Sequence, residues 1–296
     1  MKVAITGASG LIGTRLTQRL EQSGHEVLAI SRSAGDESVL RWDPAKGEID
    51  AQGLQGVDAV INLAGENIAS RWTDAKKRAI RESRVDGTSL IARTIAALDP
   101  KPSVLVSASA IGYYGDRGDE VMTEQSAAGD GFLPDVCVAW EEAADPARDA
   151  GIRVVHPRIG VVLSPDGGAL AQMLTPFKLG GGGKLGSGNQ YFSWITIDDV
   201  VGVLEHCLNH DQCDGPLNAV SPNPVTNKVF TKTLGKVLGR PTVIPMPAFA
   251  ARMAFGEMAD ALLLASTRVV PNRASESGFT FGYPDLEEGL RHLLKT

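Results

Sequence analysis

Three glycines, at positions 7, 10 and 13, constrain this chain more than any other feature. They stand in the run Thr6-Gly7-Ala8-Ser9-Gly10-Leu11-Ile12-Gly13, directly after an apolar, β-branched stretch at residues 3–6. A helical pattern follows over Leu11–Gln22, where Ile12, Leu16 and Leu20 recur every four residues on one face. A G-x-x-G-x-x-G at a strand-to-helix turn leaves few folds open. One glycine permits the tight turn, one lets the backbone approach a pyrophosphate, and one lets the helix pack closely on the strand. The first helical turn then presents free N–H groups to the phosphates. Glycine is also in surplus, 33 residues where average usage would give about 21. With no G-X-Y period, the surplus belongs to turns and close approaches.

The rest of the first half alternates strands and helices. Residues 25–31, 57–64 and 104–107 read as strands, and 152–163 as a further strand region. A long helix enters at Thr73-Asp74 and runs to about residue 98, stopped by Pro100 and Pro102; another covers roughly 135–150. This alternation predicts an α/β fold, a doubly wound parallel sheet buried on both faces. A helix from Asp198 and one more strand at 215–220 complete it. Residues 1–222 are therefore expected to form a nucleotide-binding domain. Beyond 222 the prolines multiply, and 223–296 reads as a small, mostly helical C-terminal lobe on the substrate side. The densest glycine cluster, GGGGKLGSG at 180–188, reads as a flexible loop reaching toward the substrate cleft.

Net charge is -6, so no chain-wide basic field draws in nucleic acid or an anionic membrane. No apolar run reaches the ~18 residues of a membrane span, and the first residues turn to glycine too early for a signal peptide. Cys137, Cys207 and Cys213 are odd in number and form no C-x-x-C pair, and the five histidines are scattered. Neither a metal site nor a disulfide framework is expected. The expectation is a cytoplasmic protein acting on a small molecule, with no nucleic-acid or membrane partner and its oligomeric state open.

The end of the second strand selects the cofactor. A carboxylate there would accept from the ribose hydroxyls of NAD. Here Ser31, Arg32 and Ser33 stand instead. The planar Arg32 fork suits a 2′-phosphate, and the serines can donate to its oxygens, which predicts NADP(H). Ser9, Leu11 and Ile12 share the phosphate loop with the glycines. Leu63 and Ala64, at the carboxyl end of the next strand, are candidates to wall the cofactor, with Gly65 turning the chain.

TGASGLIG and NLAG resemble the first two signatures of the short-chain dehydrogenase/reductase superfamily in its extended form. A closer resemblance runs nearly the whole length: NLAGENI (62–68), SRxxGT (83–88), SASAIGYYGD (107–116), WEEAA (140–144), PDGGAL (165–170), GEMADALLLAS (256–266) and RVVPNR (268–273). These motifs are similar to the atypical YfcH-like "epimerase family" proteins. The resemblance implies an NADP(H)-binding Rossmann domain with a C-terminal lobe over the substrate cleft. It also implies cofactor contacts from Arg84 and Val162.

Superfamily chemistry rests on a Ser or Thr with a Tyr-x-x-x-Lys pair, in which the cation eases proton exchange at the phenol. Ser107 and Ser109 end a strand at the place for the serine. The places for tyrosine and lysine fall near Leu133 and at Cys137, and no Y-x-x-x-K occurs anywhere in the chain. Tyr113 is therefore the candidate acid/base, with Ser109 four residues before it and Arg117 four after. Cys137, on an apolar helix face, reads as core and not as a nucleophile. Asn67, Arg71, Trp72 and Lys184 are candidates to face the cleft. Two functions remain open: an NADP(H)-dependent oxidoreductase or epimerase-like enzyme on a carbonyl or sugar-like substrate, and a non-catalytic NADP(H)-sensing regulator.

Overall fold

The structure is a computed structural model describing residues 1–32 and 39–295. Its central strand, β1 (Lys2–Thr6), is flanked on one side by β2 (Glu26–Ser31) and β3 (Val39–Asp43), and β4 (Glu48–Ile49) folds back antiparallel on β3. On the other side lie β5 (Ala59–Asn62) and β6 (Val104–Ser107). Beyond the short β7 (Ser109–Ala110), β8 (Arg153–Ile159) and β9 (Gly215–Ala219) complete a nine-stranded sheet. Its order is β9-β8-β6-β5-β1-β2-β3-β4, with β7 paired to β8. All pairings but β3 with β4 are parallel. The order reverses at β1, and the crevice beyond the strand ends at such a reversal is where ligands bind in these sheets.

Alternate residues of each strand enter opposite cores. Val3, Ile5 and Val106 pack with Leu16 and Leu20 of α1 (Leu11–Gln22) on one face. Ala4, Val60 and Leu105 pack with Leu90, Ile91 and Ile95 of α2 (Asp74–Ala96) on the other. The Thr73 hydroxyl accepts from the Lys76 N–H, and Asp74 sits in the first turn, so the predicted start of α2 holds for the predicted reason.

Three expectations need correction. The helix over 135–150 is two: α3 (Phe132–Glu142), then Asp145–Asp149, separated where Pro146 cannot donate to the preceding turn. The strand region 152–163 divides at Gly160, whose added Cβ would lie 2.7 Å from the Ser193 carbonyl oxygen. Val161–Leu163 leaves the main sheet there and pairs with Trp194–Thr196.

The glycine run at 180–188 is a pinned strap and not a free loop. The Ile244 N–H donates to Gly182, Met246 to Lys184 and Gly186 to Met246. A Cβ on Gly183 would stand 1.8 Å from the Ile244 carbonyl oxygen, so glycine here serves backbone contact.

Beyond residue 222 the chain is mostly helical, with Asn227–Leu238, Ala248–Phe255, Asn272–Glu276 and Leu286–Leu294. Leu286, Leu290 and Leu293 enter the same core as Val3 and Ile5. Arg268–Val269 pairs with Val121–Met122, which fastens this segment to the loop after β7.

Candidate functional site: a glycine turn beside an apolar cleft

Gly7 follows β1 with φ of 71°, a conformation that favours glycine. Its own Cβ would press to 3.0 Å from Ala64 N, so the turn after β1 lies against the turn after β5. Thr6 Oγ1 accepts from both the Leu63 and Ala64 N–H groups at 3.1 Å and donates to Asn62 Oδ1 at 2.6 Å. Gly13 packs so closely that a Cβ would be 2.1 Å from the Gly7 carbonyl oxygen. Helix α1 begins at this point with Gly10 as its N-cap, no side-chain cap and no acid in the first turn. The arrangement fits a pyrophosphate: helix-start N–H groups, close backbone and no carboxylate in the first helical turn.

Arg32 directly follows β2 in an exposed position. Its field, with those of Lys76 and Arg84, falls on Glu66 after β5; the Lys76 ammonium, which pairs with that carboxylate, is the main reason its pKa is lowered. Lys76 is a residue the sequence reading missed, although two lysines in the first turn of α2 signal a basic helix start. Ser31, the last residue of β2, precedes Arg32. Ser33, the other expected phosphate donor, lies outside the described residues.

Arg84 projects from α2 across Gly65, its Cζ 3.1 Å from where a Cβ would be. It donates to the Glu66 and Ile80 carbonyls, and burial pulls its pKa below the usual value. Val162 is half-buried on the short strand beside the crevice, and Leu11 packs on Gly167.

Arg84, which lies over Gly65, and Gly168, next to Leu11, border a cleft of about 710 Å³, lined by Ala110, Ile111 and Gly112, by Leu133 and Cys137 of α3, and by Met173, Phe177, Phe230 and Leu263. Leu133 and Cys137, expected near the tyrosine place and at the lysine place, thus form its wall. Burial pushes the Cys137 thiol up to about 12, which keeps it protonated and inert. Asn67 lines the cleft too. Trp72 does not: it packs edge-on to Phe132 and donates to the Ile68 carbonyl. Arg71 lies against Gly256 and reaches the Met253 carbonyl. Lys184 is exposed and donates to Ser187 within its own strap.

Ser109 and Tyr113 belong to a buried polar network beside this wall. The Ser109 hydroxyl donates to Glu141 Oε1 at 2.6 Å. Arg158 Nε and Nη2 hold the same carboxylate at 2.8 Å each, and Nη1 donates to the Tyr114 hydroxyl at 3.0 Å. The Tyr114 hydroxyl donates in turn to Asn218, whose amide donates to the Val270 carbonyl. Burial, partly offset by Arg158, pushes Tyr114 up to about 12. Burial disfavours charge on Arg158, yet its Glu141 and Tyr114 partners raise its pKa overall. The Arg158 guanidinium lies 3.4 Å from the Tyr113 ring centre. Arg117, expected to serve Tyr113, pairs with Glu120 instead, so a spacing of four in this loop sets no contact. A signal for the network was present in sequence: Arg158 sets a cation between Pro157 and Ile159 near the carboxyl end of β8.

Comparison with known proteins agrees with this architecture. Residues 3–219 match the profile of the NAD dependent epimerase/dehydratase family, and residues 246–293 match a domain of unknown function. An epimerase family protein of Mycobacterium bovis is 45% identical over 290 residues, 97% of this chain and 96% of that protein. The human epimerase family protein SDR39U1, crystallised with NADPH, superposes with a TM-score of 0.93 at 37% identity, covering 100% of this chain and 99% of that one. A nucleoside-diphosphate sugar epimerase of Corynebacterium glutamicum superposes at 0.83 with 40% identity, over 99% of this chain and 58% of that one. With its doubly wound sheet, its glycine turn and these full-length likenesses, the chain belongs to the NAD dependent epimerase/dehydratase family.

Proposed function

We propose that this chain binds NADP(H) at the β1–α1 turn and is an oxidoreductase acting on a carbonyl-bearing molecule held in the adjoining cleft. The observation that carries the reading is the uncapped start of α1 behind the Gly7–Gly13 contact, with Arg32 at the end of the neighbouring strand. When bound, the dinucleotide supplies hydride exchange. The chain's own contribution is binding and orientation. The backbone of Gly7, Ser9, Gly10, Leu11, Ile12 and Gly13 holds the pyrophosphate, and Ser31, Arg32 and Lys76 face the 2′-phosphate. Leu63, Ala64 and Gly65 wall the cofactor, with Arg84 and Val162 beside it. Ser109 and Tyr113 hold the strand end over which the substrate lies, through Glu141 and Arg158. A reducing cytoplasm suits the three buried free cysteines.

The test is a fluorescence titration with NADPH and NADH. Tighter binding of NADPH is expected; equal or tighter NADH binding overturns the cofactor assignment. A sensing role without turnover is favoured by one observation, the inert Leu133 and Cys137 where the tyrosine and lysine are expected. NADPH binding with no absorbance loss across a panel of aldehydes and ketones would establish that role instead.

A further inference from the structure

The geometry points to a long apolar carbonyl compound, a straight-chain aldehyde, ketone or enone, as the occupant of the cleft, and not a nucleoside-diphosphate sugar. This rests on the proposed function only in taking the cleft as the substrate side.

Charge is the first argument. Among the described residues lining the cleft, Arg84 alone is ionised, and it is committed to the Glu66 and Ile80 carbonyls and to the Trp140 ring. Lys184, on the strap, is exposed and turned to Ser187. A diphosphate moved out of water needs countercharges and several donors to replace its hydration. The distal cleft offers neither.

Shape and lining are the second. The few polar side chains are amides and a hydroxyl: Asn67, Gln172, Asn227 and Thr231. Asn227 already accepts from the Leu185 N–H. Between them the walls are aliphatic and aromatic, from Leu133 and Met173 to Phe177, Phe230 and Leu263. Such a lining gains by burying methylenes and has no pattern with which to read sugar hydroxyls.

The rim supplies the third, independent argument. Ile244 and Met246 line the cleft yet are 57% and 40% exposed. Around them in the chain, Val243, Phe249 and Met253 are exposed by 75%, 65% and 73%. Apolar side chains left in water at the edge of an apolar cavity mark the path by which an apolar ligand enters.

The experiment is displacement of Nile red from the full chain by a series of 2-alkanones from butanone upward, with UDP and UDP-glucose as competitors. Affinity is expected to rise about fourfold per added methylene until the cleft is full, and neither nucleotide displaces the dye. Met173→Trp should bring the plateau to shorter chains, a change that misfolding would not produce. Ile244→Glu, at an exposed position on the rim, should weaken long chains more than short ones and so lower the gain per methylene. A flat series, displacement by UDP-glucose, or an unmoved plateau in folded Met173→Trp overturns the inference. NADPH binding with a flat series sinks this inference alone; a steep series without NADPH binding sinks the cofactor reading alone.

Discussion

Glu141 and Arg158 meet in a two-point ion pair, both contacts at 2.8 Å, with the arginine side chain only 3% exposed. Removing one partner leaves the other charged and buried, which is far costlier than losing an exposed pair. Glu141→Ala is expected to destabilise by about 3–5 kcal/mol, read from urea unfolding. Arg158→Met combined with Glu141→Leu should recover much of the loss. Additive losses would show that the pair does not act as a unit.

Tyr113 covers this pair with its ring. Tyr113→Phe keeps the ring and its contact with Arg158, so unfolding stability and any carbonyl turnover are expected to persist. Loss of turnover in a stable variant would return the hydroxyl to the mechanism as acid/base.

His156 lies on the same strand as Arg158 and is 2% exposed. Burial first, with Arg148 and Arg158 assisting and Glu141 opposing, lowers its pKa to about 4. The folded state therefore keeps the ring neutral while an unfolded chain takes up a proton below about 6.5. Its contribution is complete above that value and is lost as pH falls toward 4, about 3 kcal/mol in all. His156→Phe should flatten the slope of unfolding free energy between those limits; an unchanged slope would assign the acid loss to other groups.

Gly13→Ala places a methyl 2.1 Å from the Gly7 carbonyl oxygen, so α1 must shift away from the turn. A cost of about 1–3 kcal/mol is expected, together with loss of NADPH binding well beyond what that destabilisation explains. Retained affinity would remove the turn from the site.

Arg32→Glu sets a carboxylate where the 2′-phosphate is expected. NADPH affinity should fall about tenfold to a hundredfold, the worth of a hydrogen bond to a charged group, with NADH affinity held or improved. A parallel fall for both cofactors would make Arg32 a general contact.

Strands β1, β2, β5, β6, β8 and β9 were legible because they are short, largely apolar and separated by strong punctuation; β3, β4 and β7, two of them only two residues long, were not read. The spacing of Ile12, Leu16 and Leu20 and the Thr73-Asp74 cap are local signals, and local physics decided them. The Gly160 break was not legible, since its cause is the approach of Ser193, distant in sequence. The strap failed for the same reason: a glycine run looks flexible until the backbone at 244–246 is brought against it. In the site, the glycine turn and Arg32 could be read directly. The partner of Tyr113 could not, because a four-residue spacing orients side chains only on a helix, and the fold supplied Arg158 from β8.

That strap has an evolutionary consequence. Its attachments to residues 244–246 run through main-chain N–H and carbonyl groups, so side chains on either side can change without unfastening the join. The cleft wall can thus be re-specified by point substitution while the segment matching the domain of unknown function stays fixed in place. Exchange of that segment between relatives is expected to transplant ligand preference intact, whereas a chain deprived of it would lose a wall and not merely a lid.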